Sequence, residues 1–159
     1  MNCKREAAVW ERVMAASAEC PMPTRQAAPN GLTPQQVMEL LQKEVMDACT
    51  YRTLAMRVKK QVRSCLMQLA QEERWHYRKL EAVYYLMTGH RPCPDRPKGP
   101  CVACTNEELR KRYQEEVAGA AKYHALAEQA GSFASVFHCL GHEEERHSRM
   151  ILELLQQCL

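Results

Sequence analysis

The 159-residue chain lacks any run of roughly 18 apolar residues, so nothing in it is suited to span a lipid bilayer. It has only two Phe and two Trp, few for an all-β core, whereas helix-forming Leu, Met, Ala, Glu, Gln, Lys and Arg are common. It has no clustered basic patch. The net charge is only +3, and Lys and Arg are interleaved with Glu, which sets general nucleic-acid binding aside. The segment from Met1 to Cys20 lacks an unbroken apolar core, because Glu6, Glu11, Arg12 and Glu19 interrupt it. Neither a signal peptide nor a transit peptide fits, and the expected compartment is the cytoplasm. Nine cysteines are present, yet Cys49, Cys65 and Cys139 fall within helical patterns without the spacing of a disulfide framework. Reduced thiols are expected.

Two parts are expected along the chain: residues 1–32, an N-terminal helix with a linker, and residues 33–159, the main domain. Val9, Trp10, Val13 and Met14 fall at helical spacing between Lys4 and Glu19. Pro21, Pro23, Pro29, Asn30 and Gly31 then form the linker. Thr33-Pro34-Gln35-Gln36 has the residues of a capping box with Pro in the first turn. After Pro34 no Gly or Pro occurs until Gly89, too long a stretch for one ordinary helix, so an unmarked turn is expected near residues 57–62. Residues 89–105 hold Pro92, Pro94, Pro97, Pro100 and Gly99 and form a long loop. Thr105, with Glu108 three residues on, starts a third helix, and Gly131-Ser132 ends it and caps a fourth. Helices are expected over 34–58, 62–88, 106–130 and 133–158. A helix of ~26 residues is ~39 Å long, and the long loop has the reach to cross it. The fold class is therefore all-α, an antiparallel four-helix bundle with one long crossover between its second and third helices, plus the short N-terminal helix.

Each helix carries one stripe of residues at steps of three or four. The stripes are Val37, Leu40, Glu44, Asp47, Tyr51, Leu54, Val58; then Leu66, Leu69, Glu73, His76, Leu80, Val83, Met87; then Leu109, Tyr113, Glu116, Ala120, Tyr123, Ala127, Ala130; then Phe137, Leu140, Glu144, His147, Ile151, Leu154, Cys158. They are apolar at the ends and ionisable in the middle. Unpaired carboxylates in a core cost several kcal/mol or shift their pKa until neutral. A pair of divalent cations would balance four of them. Glu73 and His76, like Glu144 and His147, stand three apart and project toward one point. The two halves repeat: Glu44 precedes Tyr51, Glu73 and His76 by 7, 29 and 32, and Glu116 precedes Tyr123, Glu144 and His147 by 7, 28 and 31. This is the pattern of an internal duplication.

One Glu from each of two helices, plus Glu-x-x-His from each of the other two, is the ligand set of ferritin-like di-iron carboxylate proteins. From Pro34 to Leu159 the chain resembles rubrerythrin-type and bacterioferritin-type domains. The resemblance implies a ferritin-like bundle and a dinuclear centre of two Fe, with Mn or a mixed Fe/Mn pair as alternatives. Glu44 and Glu116 would be terminal ligands, Glu73 and Glu144 bridges, and His76 and His147 would complete one metal each. Tyr51 and Tyr123 match the family's tyrosines near the ligand carboxylates, and Glu72 and Glu143 are candidates to orient the histidine of the opposite helix. The chain departs from rubrerythrins in having Gly119 or Ala120 where they carry a further carboxylate, and in lacking a rubredoxin domain with its two Cys pairs. The shorter spacing from Glu44 to Glu73 marks a compact branch.

The resemblance implies a non-haem di-iron oxidoreductase that reduces peroxide or oxidises ferrous iron. Its partners would be hydrogen peroxide or oxygen and a separate electron donor such as a rubredoxin-like protein. A homodimer or larger homo-oligomer is expected, with no nucleic acid and no membrane. Gly119 would leave room for a small oxidant. The alternatives are an iron-storage oligomer and a metal-free bundle with a vestigial site. A plain salt-bridge network is the bland reading of the six residues, but no Lys or Arg lies on the central stripes to pair with the carboxylates. Tyr51 and Tyr123 also suit plain core packing. Asp47 suits either a place behind the ligands or a wet rim, and His124, His138 and His142 suit the surface. In the loop, His90, Cys93, Cys101 and Cys104 have spacing that a Zn ion could use, with a Cys101–Cys104 redox pair or plain thiols as alternatives.

Overall fold

A computed structural model describes residues 31–95, 99 and 102–157, and within these the chain is all-helical. The helices are α1 (Pro34–Ala55), α2 (Lys60–Thr88), α3 (Thr105–Ala127) and α4 (Ala134–Gln157), with a short 3-10 turn at Gly131–Phe133. The expected helix between Lys4 and Glu19, and Cys158 of the last stripe, lie outside the described residues. No described helix is long and apolar enough to cross a membrane.

Local chemistry sets two of the helix ends. The Thr33 side chain accepts from the Gln36 N–H, and the Gln36 side chain accepts from the Thr33 N–H, which completes the capping box. Gly89 ends α2 with φ +75°, a backbone shape that favours glycine. The unmarked turn falls at residues 56–59, and α1 ends three residues earlier than its expected limit. Arg63 supplies what the sequence there lacks. Its Nε donates to the Ala55 carbonyl at 3.0 Å and its Nη2 to the Val58 carbonyl at 3.4 Å. Other ends differ from expectation. Thr105 is already helical, and its N-cap Cys104 makes no side-chain bond; Glu108 turns to Arg112 Nε at 3.2 Å instead of back to the cap. α3 stops at Ala127, and the 3-10 turn replaces the expected Ser132 cap of α4.

α1 packs on α2 and α3 on α4 as two antiparallel hairpins. Contacts across the hairpins give their relative sense. Glu44 meets Tyr123 while Tyr51 meets Glu116, so α1 and α3 run in opposite directions. Hence α2 and α3 run the same way, and the chain between them must return along the bundle. It leaves beside the middle of α1, where Gln42 exchanges two hydrogen bonds with the Asp95 backbone. It arrives past the end of α1, where Arg57 donates to the Val102 carbonyl.

The buried apolar residues form two separate clusters. One centres on Leu40, Leu80, Tyr123, Phe137 and Leu140. The other centres on Tyr51, Leu54, Leu69, Leu109 and Ile151. Each fully buried Leu or Phe contributes roughly 1.5–3 kcal/mol of transfer free energy. Between the clusters lies a layer that is equally buried and not apolar at all.

Candidate metal centre

Glu44, Glu73, His76, Glu116, Glu144 and His147 form this layer, and none is more than 1% exposed. All six were expected, and the bundle brings all six together. α1 and α3 each supply one glutamate, and α2 and α4 each supply a Glu and a His one turn apart.

The orientation of each group is specific. His76 Nδ1 faces inward, 3.0 Å from Glu73 Oε2, 3.3 Å from Glu44 Oε2 and 3.4 Å from Glu144 Oε1. His147 Nδ1 also faces inward, 3.0 Å from Glu73 Oε1, 3.7 Å from Glu116 Oε2 and 3.8 Å from Glu144 Oε2. Glu73 and Glu144 thus each turn one oxygen to each histidine, while Glu44 serves only the first half and Glu116 only the second. The imidazoles stack with centroids 5.1 Å apart. Donors bound at roughly 2.0–2.2 Å around one ion stand about 3.0–3.4 Å apart, which the tighter contacts match.

The outward sides of these side chains have contacts of their own. Tyr123 donates to Glu44 Oε1 and Tyr51 to Glu116 Oε1, leaving the other oxygen of each glutamate facing the centre. His76 Nε2 points to Glu143 on α4 at 3.1 Å, and His147 Nε2 to Glu72 on α2 at 2.8 Å. The His147–Glu72 contact is a hydrogen bond to an acid of the opposite helix, whereas the His76–Glu143 contact is an ion pair without hydrogen-bond geometry. Eight inward atoms have no hydrogen bond of acceptable geometry: Glu44 Oε2, both oxygens of Glu73 and of Glu144, Glu116 Oε2, and Nδ1 of His76 and of His147. Buried polar atoms without partners are rare, because each forfeits hydration for nothing.

The electrostatics follow from crowding. Burial lifts the Glu73 carboxyl to about 7, and burial with Glu116 beside it holds Glu144 well above the usual range. Burial also pushes Glu44 up, but the Lys43 ammonium and His76 outweigh it and hold Glu44 at about 2. Glu116 is lowered in the same sense, as its contacts with Glu144 and His147 outweigh burial. Both imidazoles rise against burial. Glu116 and Glu73 take His147 to about 10, and Glu143, Glu144, Glu44 and Glu73 raise His76 further. Protons thus hold together a cluster whose donors a multivalent cation would satisfy directly.

Two cations come closer than the stripes suggested. Lys43, beside Glu44 in sequence, bends around α1 to reach Asp47 at 2.6 Å and Glu144 Oε1 at 4.0 Å. Arg112 is buried and pairs with Asp47, Glu108 and Glu115. Its spacing was available: it follows Leu109 by three and precedes Glu116 by four. Asp47 is therefore not a wet rim residue: it lies buried, as the anion that seats Lys43 and Arg112. Lys43 touches only one of the four central carboxylates and Arg112 touches none, so it is the two imidazoles that face all four. Gly119 is buried, and a Cβ there would meet the Glu144 carboxylate and Lys43 Nζ at 3.6–3.7 Å, so the expected room beside the ligands is shared with the ammonium.

Among the described residues, two groups have metal-ligand geometry: Glu73, His76, Glu144 and His147, and separately His124, His142 and Glu145. His90, Cys93 and Cys104 join neither; Cys101 lies outside the described residues. Cys49 and Cys65 are half-buried free thiols, and Cys139 is an exposed one. No protein-family model matches the chain, and no curated protein and no solved structure matches it, so its functional reading rests on this geometry.

Proposed function

We propose that the chain is a ferritin-like, rubrerythrin-like di-iron protein that reduces peroxide or oxidises ferrous iron. The observation that carries this reading is the set of eight unpartnered donor atoms, divided four and four between the two histidines, with Glu73 and Glu144 common to both halves. The parallel sense of α2 and α3, with a long crossover between them, supports the ferritin-like assignment.

Glu44, Glu73, Glu144 and His76 would hold one ion, and Glu116, Glu73, Glu144 and His147 the other. Two ferrous ions would supply one electron each, and a peroxide needs two, with two protons, to give two waters. Carboxylate-rich donors with one imidazole suit Fe or Mn and stabilise the higher charge of the oxidised ions. Tyr51 and Tyr123 keep the terminal glutamates from rotating, and Glu72 and Glu143 keep each Nδ1 turned inward. The apolar clusters above and below exclude water. Lys43 is the nearest cationic donor to the Gly119 side, where it can hydrogen-bond an anionic oxidant. Electrons for repeated turnover would come from a separate donor protein.

The test is metal content per chain by elemental mass spectrometry, on protein purified without chelator, beside Glu73→Ala/Glu144→Ala. Two Fe or Mn per chain, absent from the variant, are expected, followed by reductant-dependent peroxide consumption. A chain that takes up no metal even after anaerobic ferrous loading overturns the reading in favour of a metal-free bundle. A shell holding many irons per chain would favour storage.

A further inference from the structure

The outer face of the α3–α4 hairpin carries donors that the buried centre does not use. His124 on α3 turns Nε2 toward Glu145 Oε1 on α4, 3.1 Å away. His142 Nδ1 stands 3.5 Å from the other oxygen, Glu145 Oε2. One donor atom from each of the three lies within 4.8 Å of the others. The rings of His124 and His142 meet edge to face at 4.9 Å, and His138, one turn before His142, flanks His124 at 5.8 Å. The His124, His142 and Glu145 side chains are 30%, 70% and 43% exposed, so this group opens to solvent.

A glycine makes the convergence possible. A Cβ on Gly141 would stand 2.6 Å from His124 Cε1, so the bare backbone lets the imidazole lie against α4. Glycine inside a helix costs ~1 kcal/mol relative to alanine, and here the space it leaves is filled by this ring. Donors at roughly 2.0–2.2 Å from a tetrahedral ion stand about 3.3 Å apart, and the two carboxylate–imidazole separations bracket that value.

We infer that His124, His142 and Glu145 form a second, solvent-facing site for a zinc-class divalent cation, completed by water. Two imidazoles and one carboxylate are a common donor set for Zn2+, whereas the carboxylate-rich interior suits iron or manganese. The two sites share no residue, so this one stands whether or not the buried centre takes metal.

The test titrates Zn2+ into the full chain and into its Glu73→Gln/Glu144→Gln variant, with imidazole 15N resonances followed by NMR. The His124 and His142 signals are expected to shift together, saturating at one ion per chain, in both proteins. His142→Ala, at a largely exposed position, is expected to weaken the His124 response by more than the roughly 10–100-fold that outer partners of a metal site are worth. Unshifted His124 and His142 signals in excess Zn2+ overturn the inference, as does a His124 response that His142→Ala leaves unchanged. Failure of the buried centre would appear separately, as absence of Fe or Mn at Glu73 and Glu144.

Discussion

The Tyr123 hydroxyl on α3 donates to Glu44 on α1, on the oxygen that does not face His76. Tyr51 on α1 does the same for Glu116 on α3. The hairpins are thus cross-tied: each half's tyrosine holds one oxygen of the other half's glutamate, Glu44 or Glu116. Tyr123→Phe is expected to lower stability by ~1.5–3 kcal/mol, the range for a hydrogen bond to a charged group. It should also weaken metal retention by roughly tenfold, because Glu44 becomes free to rotate. Denaturant titration and competition with a metal chelator would measure both; unchanged metal retention would remove the orienting role.

Glu143 illustrates support from one layer further out. Its close contact with His76 is the main reason its carboxyl sits at about 2. Glu143→Gln keeps the shape and removes the charge. Metal affinity should fall by roughly 10–100-fold with helix content unchanged. Equal affinity, measured by chelator competition beside circular dichroism, would show that Glu143 does not orient the ligand.

The pH dependence of stability should change sign on metal binding. In the metal-free chain, His147 has a folded pKa of about 10 against an ordinary 6.5, so its stabilisation is complete below 6.5 and lost as pH rises through 10. Glu73, at about 7 against 4.5, loses its contribution as pH rises from 4.5 through 7. Glu44, at about 2, is lost only as pH falls below 4.5 toward 2. Chelator-treated protein should therefore be less stable at pH 9 than at pH 5. Metal binding needs deprotonated ligands, so metal-loaded protein should gain stability from pH 5 to pH 7. Urea unfolding at these pH values is the measurement, and parallel slopes for the two forms would contradict the expectation.

The two helix-interior glycines should behave differently. A Cβ at Gly119 makes only ordinary contacts, so Gly119→Ala should gain up to ~1 kcal/mol from helix propensity. Gly141→Ala must displace the His124 ring, and that gain is offset while the ring leaves Glu145. Thermal unfolding of both variants, with the His124 signal followed by NMR, separates the cases. A His124 ring unmoved in Gly141→Ala would show that the glycine does not position it.

The sequence by itself determined the four stripes, the six central residues and the caps at Thr33 and Gly89. These follow from the 3.6-residue period and from backbone preferences, which act within a few residues. Only the tertiary structure decided which carboxylate oxygen faces which histidine, because that depends on the cross-ties from Tyr51 and Tyr123. It also decided how the first turn is held, since Arg63 reaches back to Ala55 instead of a local glycine ending the helix. Long side chains escaped the stripes for the same reason. Lys43 curls around its helix to an anion whose place depends on packing, and Arg112 follows the stripe period yet is secured by Asp47 on another helix. His124, His142 and Glu145 each look like surface residues along the chain. They meet because the α3–α4 hairpin packs closely enough at Gly141 for one imidazole to cross to the neighbouring helix.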